Sequence, residues 1–123
     1  MTGDDVELDV LTKEIGIIPT KVRKKTEWPQ VAISMGIAKD GWLLETEKEE
    51  CRAVSVQLDK LQKKLYPKLD VIRELCKKYF LEISITIVVE MEAGDGPELI
   101  LSRDNIAFLS LINAEIGFDL YVD

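Results

Sequence analysis

Cys51 and Cys76 are the only thiols in the chain, and histidine is absent. Without histidine the commonest general base and the commonest metal ligand are missing. No Ser–His or Cys–His nucleophile pair can then form within one chain. The two cysteines are far apart, make no CxxC pair and lack an activating context, and Cys76 falls on an apolar helical stripe. Both read as free thiols in a reducing compartment. The carboxylates Glu90, Glu92, Asp95 and Glu98 surround the turn sequence Gly94-Asp95-Gly96-Pro97. Oxygen-rich turns can hold calcium. This one lacks the D-x-[DN]-x-[DN]-G spacing, and Asp-Gly in a turn is explained by backbone conformation. Gly94-x-Gly96 carries neither a helix-opening GK[ST] nor GxGxxG, so no phosphate cradle is expected. No catalytic residue, cofactor or metal ligand is assigned.

The remaining candidates bind rather than react. Lys21, Arg23, Lys24 and Lys25 run up to Trp28 like a small nucleic-acid patch. The chain around them has net charge −7, which makes a solvated loop the better reading and nucleic acid an unsuited partner. Trp42 precedes a strand and is expected in the core with its N–H bonded. Trp28, beside Pro29 in a polar loop, is either packed in a crevice or exposed as a binding anchor. Charge is unevenly spread. Residues 53–79 hold seven Lys/Arg against three acids, whereas residues 80–123 hold one base against nine acids. An acidic strand face repels nucleic acid and attracts basic proteins, although solvation alone also accounts for such a face. The residues expected to meet a protein partner are Trp28, Glu82, Glu90, Glu92, Asp119 and Tyr121.

The elements that must position them follow from periodicity. Leu81, Ile83, Ile85, Ile87, Val89 and Met91 alternate with mostly polar residues, which predicts a long strand buried on one face. Asp4 to Glu14 predicts a helix with the stripe Leu8, Leu11 and Ile15, ended by Gly16. Val31, Ile33, Met35 and Ile37 alternate with Ala32, Ser34, Gly36 and Ala38, which predicts a strand with a small-residue face. Asp40-Gly41 then predicts a turn into a second strand, Trp42 to Glu47. Residues 53–79 predict the main helix, with Leu58, Leu61, Leu65, Leu69, Ile72, Cys76 and Tyr79 on one face. Pro67 kinks it or opens a second segment. Glu98 to Ser102 predicts a short strand pairing back on 81–91. Asn105 to Glu115 predicts a helix with the stripe Ile106, Leu109, Ile112 and Ile116. Phe118, Leu120 and Val122 predict a terminal strand. The expected fold is α+β in two layers, a mainly antiparallel sheet of about five strands with three helices on one face.

At 123 residues, with 46% hydrophobic and 32% charged residues, the chain is expected to be one globular domain, residues 1–123. No apolar run approaches a membrane span, and the acidic start has no signal-peptide pattern, so the expected location is the cytoplasm, away from membranes.

Three stretches carry a family likeness. They are Gly16-Ile17-Ile18-Pro19-Thr20, Gly41-Trp42 leading into Glu45-Thr46, and Asn113-Ala114-Glu115 with Asp119-Leu120-Tyr121-Val122. In this order, with the long helix and the strand after it, the chain resembles a bacterial family known as the domain of unknown function numbered 4279. The resemblance implies a small bacterial cytoplasmic domain and no particular activity. Members of that family begin with a strand running into a Gly-Asp-Asp segment, matched here by Gly3-Asp4-Asp5, whereas this chain starts at Met1. The resemblance thus implies an absent first strand, an unpaired sheet edge and a homodimer.

Two functions from different classes are compatible with these residues. The first is a non-enzymatic protein-binding module whose acidic face engages a basic partner, as in immunity- or antitoxin-like proteins. That comparison rests on size and charge alone. The second is a small-ligand-binding or enzymatic domain with a pocket floored by the small residues of strand 31–38.

Overall fold

A computed structural model describes residues 1–123. In chain order the elements are β1 (Thr2–Gly3), α1 (Leu8–Ile15), β2 (Lys21–Arg23), α2 (Gln30–Ser34), β3 (Asp40–Leu43), α3 (Val54–Leu65), α4 (Leu69–Tyr79), β4 (Ser84–Met91), α5 (Arg103–Leu111) and β5 (Glu115–Val122). Short 3-10 turns occupy Lys25–Glu27 and Tyr66–Lys68. The chain divides into two compact units, residues 1–45 with 70–82, and residues 46–69 with 83–123.

The first unit is built on an antiparallel sheet of order β1-β3-β2. The stripe Leu8, Leu11 and Ile15 of α1 is buried as its 3,4 spacing predicts, and α1 packs against β3. Gly16 ends α1 at φ +74°, a conformation glycine adopts without steric cost. Trp42 is buried and its indole N–H donates to the Thr12 hydroxyl at 3.0 Å, which satisfies its one polar group. The buried carboxylate of Asp40 accepts from the backbone N–H groups of Val6 and Lys25 at 2.8 and 2.7 Å. It thereby ties two loops to the sheet. Thr2 exchanges a pair of backbone hydrogen bonds with Glu82, both at 2.8 Å, so the chain at this point is paired on two sides.

The second unit is built on a parallel pair, β4 with β5, in continuous register from Ser84↔Glu115 to Met91↔Val122. The helix between them, α5, makes the parallel return that a tight turn cannot. It is fixed at its start by a capping box. Ser102 Oγ accepts from the Asn105 N–H at 3.1 Å, and Asn105 Oδ1 accepts from the Ser102 N–H at 3.2 Å. The Asn105 amide also donates to Asp59 Oδ1 at 2.7 Å and to Gln62 Oε1 at 2.9 Å, which joins α5 to α3. Val54, Leu58, Val89, Phe108, Leu109 and Ile112 are the buried apolar residues of this unit.

The α+β class expected from periodicity holds. Its arrangement differs, because the strands form two small sheets, one of them parallel, in place of a mainly antiparallel sheet of about five. Residues 31–38 explain part of the difference. Residues 30–34 are helix α2, and the alternating Val31, Ile33, Met35 and Ile37 are exposed while Ala32 and Ala38 are buried. Local chemistry overrides the period-2 pattern. The Pro29 carbonyl accepts from Ala32 and Ile33, which starts the helix, and Gly36 at φ +72° ends it. The Ile37 and Gly36 N–H groups return to the Ala32 and Ile33 carbonyls in a Schellman motif. Asp40-Gly41 is not a turn but the start of β3. Glu98 to Ser102 does not pair back on β4. Glu98 instead bridges in parallel to Ala53, exchanging bonds with Arg52 and Val54. The long helix is two, α3 and α4, joined by the 3-10 turn that Pro67 opens. The buried residues of α5 are Asn105, Phe108 and Leu109, and Ile112 is buried just past its end. Of the expected stripe, Ile106 is exposed and Ile116 lies in β5.

Candidate functional site

Strand parity builds the site. Successive side chains of a strand point to opposite faces, and residues in register across a pair share a face. The pairs Ser84↔Glu115, Thr86↔Gly117, Val88↔Asp119 and Glu90↔Tyr121 therefore form one face of β4 and β5, and every residue in it is exposed. On the opposite face Ile85, Ile87, Val89 and Met91 are buried or half-buried, as their alternation predicts. Their β5 neighbours Phe118, Leu120 and Val122 stay exposed.

The polar face is acidic. Tyr121 donates its hydroxyl to Asp119 Oδ2 at 2.8 Å. The hydrogen bond to the Asp119 carboxylate and its charge hold the Tyr121 phenol above its ordinary value, with Glu90 adding to the effect, since a further negative charge beside two carboxylates is disfavoured. Lys48 pairs with Glu90 and is the one cation that meets this face. Of the six residues expected to bind a partner, Glu90, Asp119 and Tyr121 come together here. Glu92 lies one residue past Met91, the end of β4, in a tight turn where it bridges to Asp95. Glu82 belongs to the first unit, paired with Thr2. Trp28 is also in the first unit, half-buried, with the Arg23 guanidinium 4.6 Å from its ring centroid. Its indole N–H has no partner. Glu115 belongs to the acidic face and was missed. Its parity with Asp119 is readable in the sequence, but Asn105 to Glu115 reads there as helix, whereas Glu115 opens β5.

The other candidates are engaged elsewhere. Lys25 of the basic run pairs with Asp4 at 2.9 Å and Asp5 at 2.6 Å. The Asp5 and Asp4 carboxylates hold the Lys25 ammonium above its ordinary value and Lys25 holds Asp4 below its own, while Arg23 is stacked on Trp28. Cys51 donates its thiol to Glu49 and accepts from Gln57 Nε2 at 3.4 Å. Burial pushes the Cys76 thiol above the ordinary range. No group of three or more carboxylates and thiols is gathered closely enough to hold a metal ion.

Two open clefts are present. One, of about 270 Å³, is lined by Thr2, Gly3, Asp4, Lys39, Tyr79, Phe80 and Glu82. The other, of about 670 Å³, lies over Asp59, Gln62, Lys63, Tyr66, Pro67, Ser102 and Asp104. Neither touches residues 31–38. The pocket expected on that strand has no floor, because Ala32 and Ser34 sit on a helix and Ala38 is buried.

No helix is long and apolar enough to cross a membrane. Comparison with curated proteins gives no match, and comparison with solved structures gives none. One family matches residues 1–123, the whole length described here, and the chain belongs to it: the domain of unknown function DUF4279.

Proposed function

We propose that this domain is a non-enzymatic protein-binding module of the cytoplasm whose acidic face on β4 and β5 engages a basic protein partner. One observation carries the reading. Glu90, Glu115, Asp119 and Tyr121 are exposed side by side on a regular strand pair, with Lys48 the one cation against them. Such a field raises the encounter rate with a basic surface and disfavours an acidic one. An immunity- or antitoxin-like role, covering a basic active site, would use this charge in that way. The first test is a titration with a short lysine-rich peptide, followed by amide chemical shifts at low and high salt. The expected shifts centre on residues 84–90 and 115–123 and vanish with salt. Shifts centred on residues 1–45 would overturn the reading.

A further inference from the structure

β5 has β4 on one side and no backbone partner on the other. The Glu115 and Asp123 N–H groups donate to the Ile83 and Met91 carbonyls, both at 3.0 Å. In a parallel ladder, residues bonded inward alternate with residues whose groups point outward. The odd-numbered residues of β5 therefore bond to β4. Ile116, Phe118, Leu120 and Val122 turn their N–H and C=O groups to the open edge. Two of the devices that protect edge strands are missing, since residues 115–123 contain no lysine and no proline. Phe118, Leu120 and Val122 are 41%, 46% and 57% exposed, so the open edge adjoins exposed apolar side chains.

The charge along this strand selects what could pair with it. Glu115, Asp119 and Asp123 carry three carboxylates, and no lysine or arginine occurs after Arg103. A second copy is the poorer fit. Pairing β5 with itself gathers the carboxylates of both copies on one strand pair with no cation among them. The antiparallel register about Asp119 sets Asp119 against Asp119 and Glu115 against Asp123, where like charges directly opposite are destabilising. A strand with lysine or arginine at alternate positions meets opposite charge on that face and apolar side chains on the other.

We propose that the open edge of β5 accepts an extended basic segment of a partner protein as an added strand, with its Lys/Arg beside Glu115, Asp119 and Asp123 and its apolar residues over Phe118 and Leu120. The proposal rests on the reading of the acidic face as a docking surface and specifies how that surface is used. Backbone hydrogen bonds supply affinity in this mode, and the alternate side chains supply specificity.

The test uses the full chain and three nonapeptides of alternating Lys and Val, capped at both ends. One is unmodified, and the other two are N-methylated at alternate residues, one at each parity. Only one edge of an added strand can face β5, so one methylated isomer is expected to bind about tenfold more weakly while the other binds nearly as well as the parent. Amides of Phe118 and Leu120 should gain protection from exchange with the parent peptide. Leu120→Pro removes an outward donor and leaves the inward ladder intact, and an edge position tolerates proline. It should weaken binding while the circular dichroism is unchanged. If that variant misfolds, the methylated peptides still decide. Equal binding by all three peptides, with unchanged exchange at Phe118 and Leu120, would overturn strand addition and leave the acidic-face reading standing. An equal loss with both methylated isomers would do the same. No binding by any peptide would overturn both.

Discussion

Asn105 concentrates more structure than any other polar side chain of the second unit. It is fully buried, closes the capping box of α5 and donates both amide hydrogens, to Asp59 and Gln62. Every polar atom of the side chain is used, so its burial carries no unmet hydrogen bond. Asn105→Ala removes the donors while the acceptors remain. The expected loss is about 1–3 kcal/mol in urea unfolding, with an unchanged m-value. Cys76 is sensitive in another way. Burial favours its neutral thiol, so its value in the fold lies above that in the unfolded chain. The contribution to stability is full below the unfolded value and is lost as pH rises through the folded one. Alkylation of Cys76, followed by mass spectrometry against pH, should rise at a higher pH in the native protein than in the same chain in denaturant. Coincident curves would show that the thiol is not desolvated.

At the scale of elements, the ends of helices decide what periodicity leaves open. Phe80 follows α4 in the left-handed region at φ +54° with its side chain 87% exposed, while the Leu81 N–H closes the helix end on the Cys76 carbonyl. A residue with a Cβ in that region costs about 1–2 kcal/mol, and Phe80 gains little packing in return. Phe80→Gly should therefore raise the unfolding midpoint, by up to about 1 kcal/mol after glycine's greater entropy loss is counted. A lower midpoint would mean that the ring contributes to folding. The same principle explains which elements were legible. The stripe of α1 and the alternating burial over 84–91 appear as expected, because one face of each meets a core, although the strand expected from Leu81 begins at Ser84. The break at Pro67 follows from its missing N–H. Residues 31–38 failed because their alternating apolar residues point to solvent, so alternation there reports no burial. Pairing partners were not legible at all. Whether β4 meets a neighbouring hairpin or a strand across α5 depends on contacts distant in sequence. Of the site, the acids were legible as a charge excess, but their shared face became evident only from the register of β4 with β5.

For the molecule as a whole, a net charge of −7 sits on a chain that leaves the β5 edge open. The family resemblance implies a dimer joined at an absent strand before Gly3. Thr2 is paired there with Gly41 in β3 and with Glu82, and the β5 edge is among the strand edges that stay open. Self-association through β5 must bring Glu115, Asp119 and Asp123 of two copies together, and their repulsion falls as salt shortens the Debye length. Dimerisation by this route should strengthen from about 0.02 M to about 0.5 M sodium chloride, opposite to the salt weakening expected for a basic partner. Sedimentation equilibrium of the purified chain at the two salt concentrations measures this directly. Asp119→Asn should shift the low-salt distribution toward the dimer by removing one carboxylate from the centre of the strand. A dimer that dissociates with added salt would place self-association on some other, oppositely charged surface. A monomer under both conditions leaves the β5 edge open to a different chain, the state that strand addition by a basic segment requires.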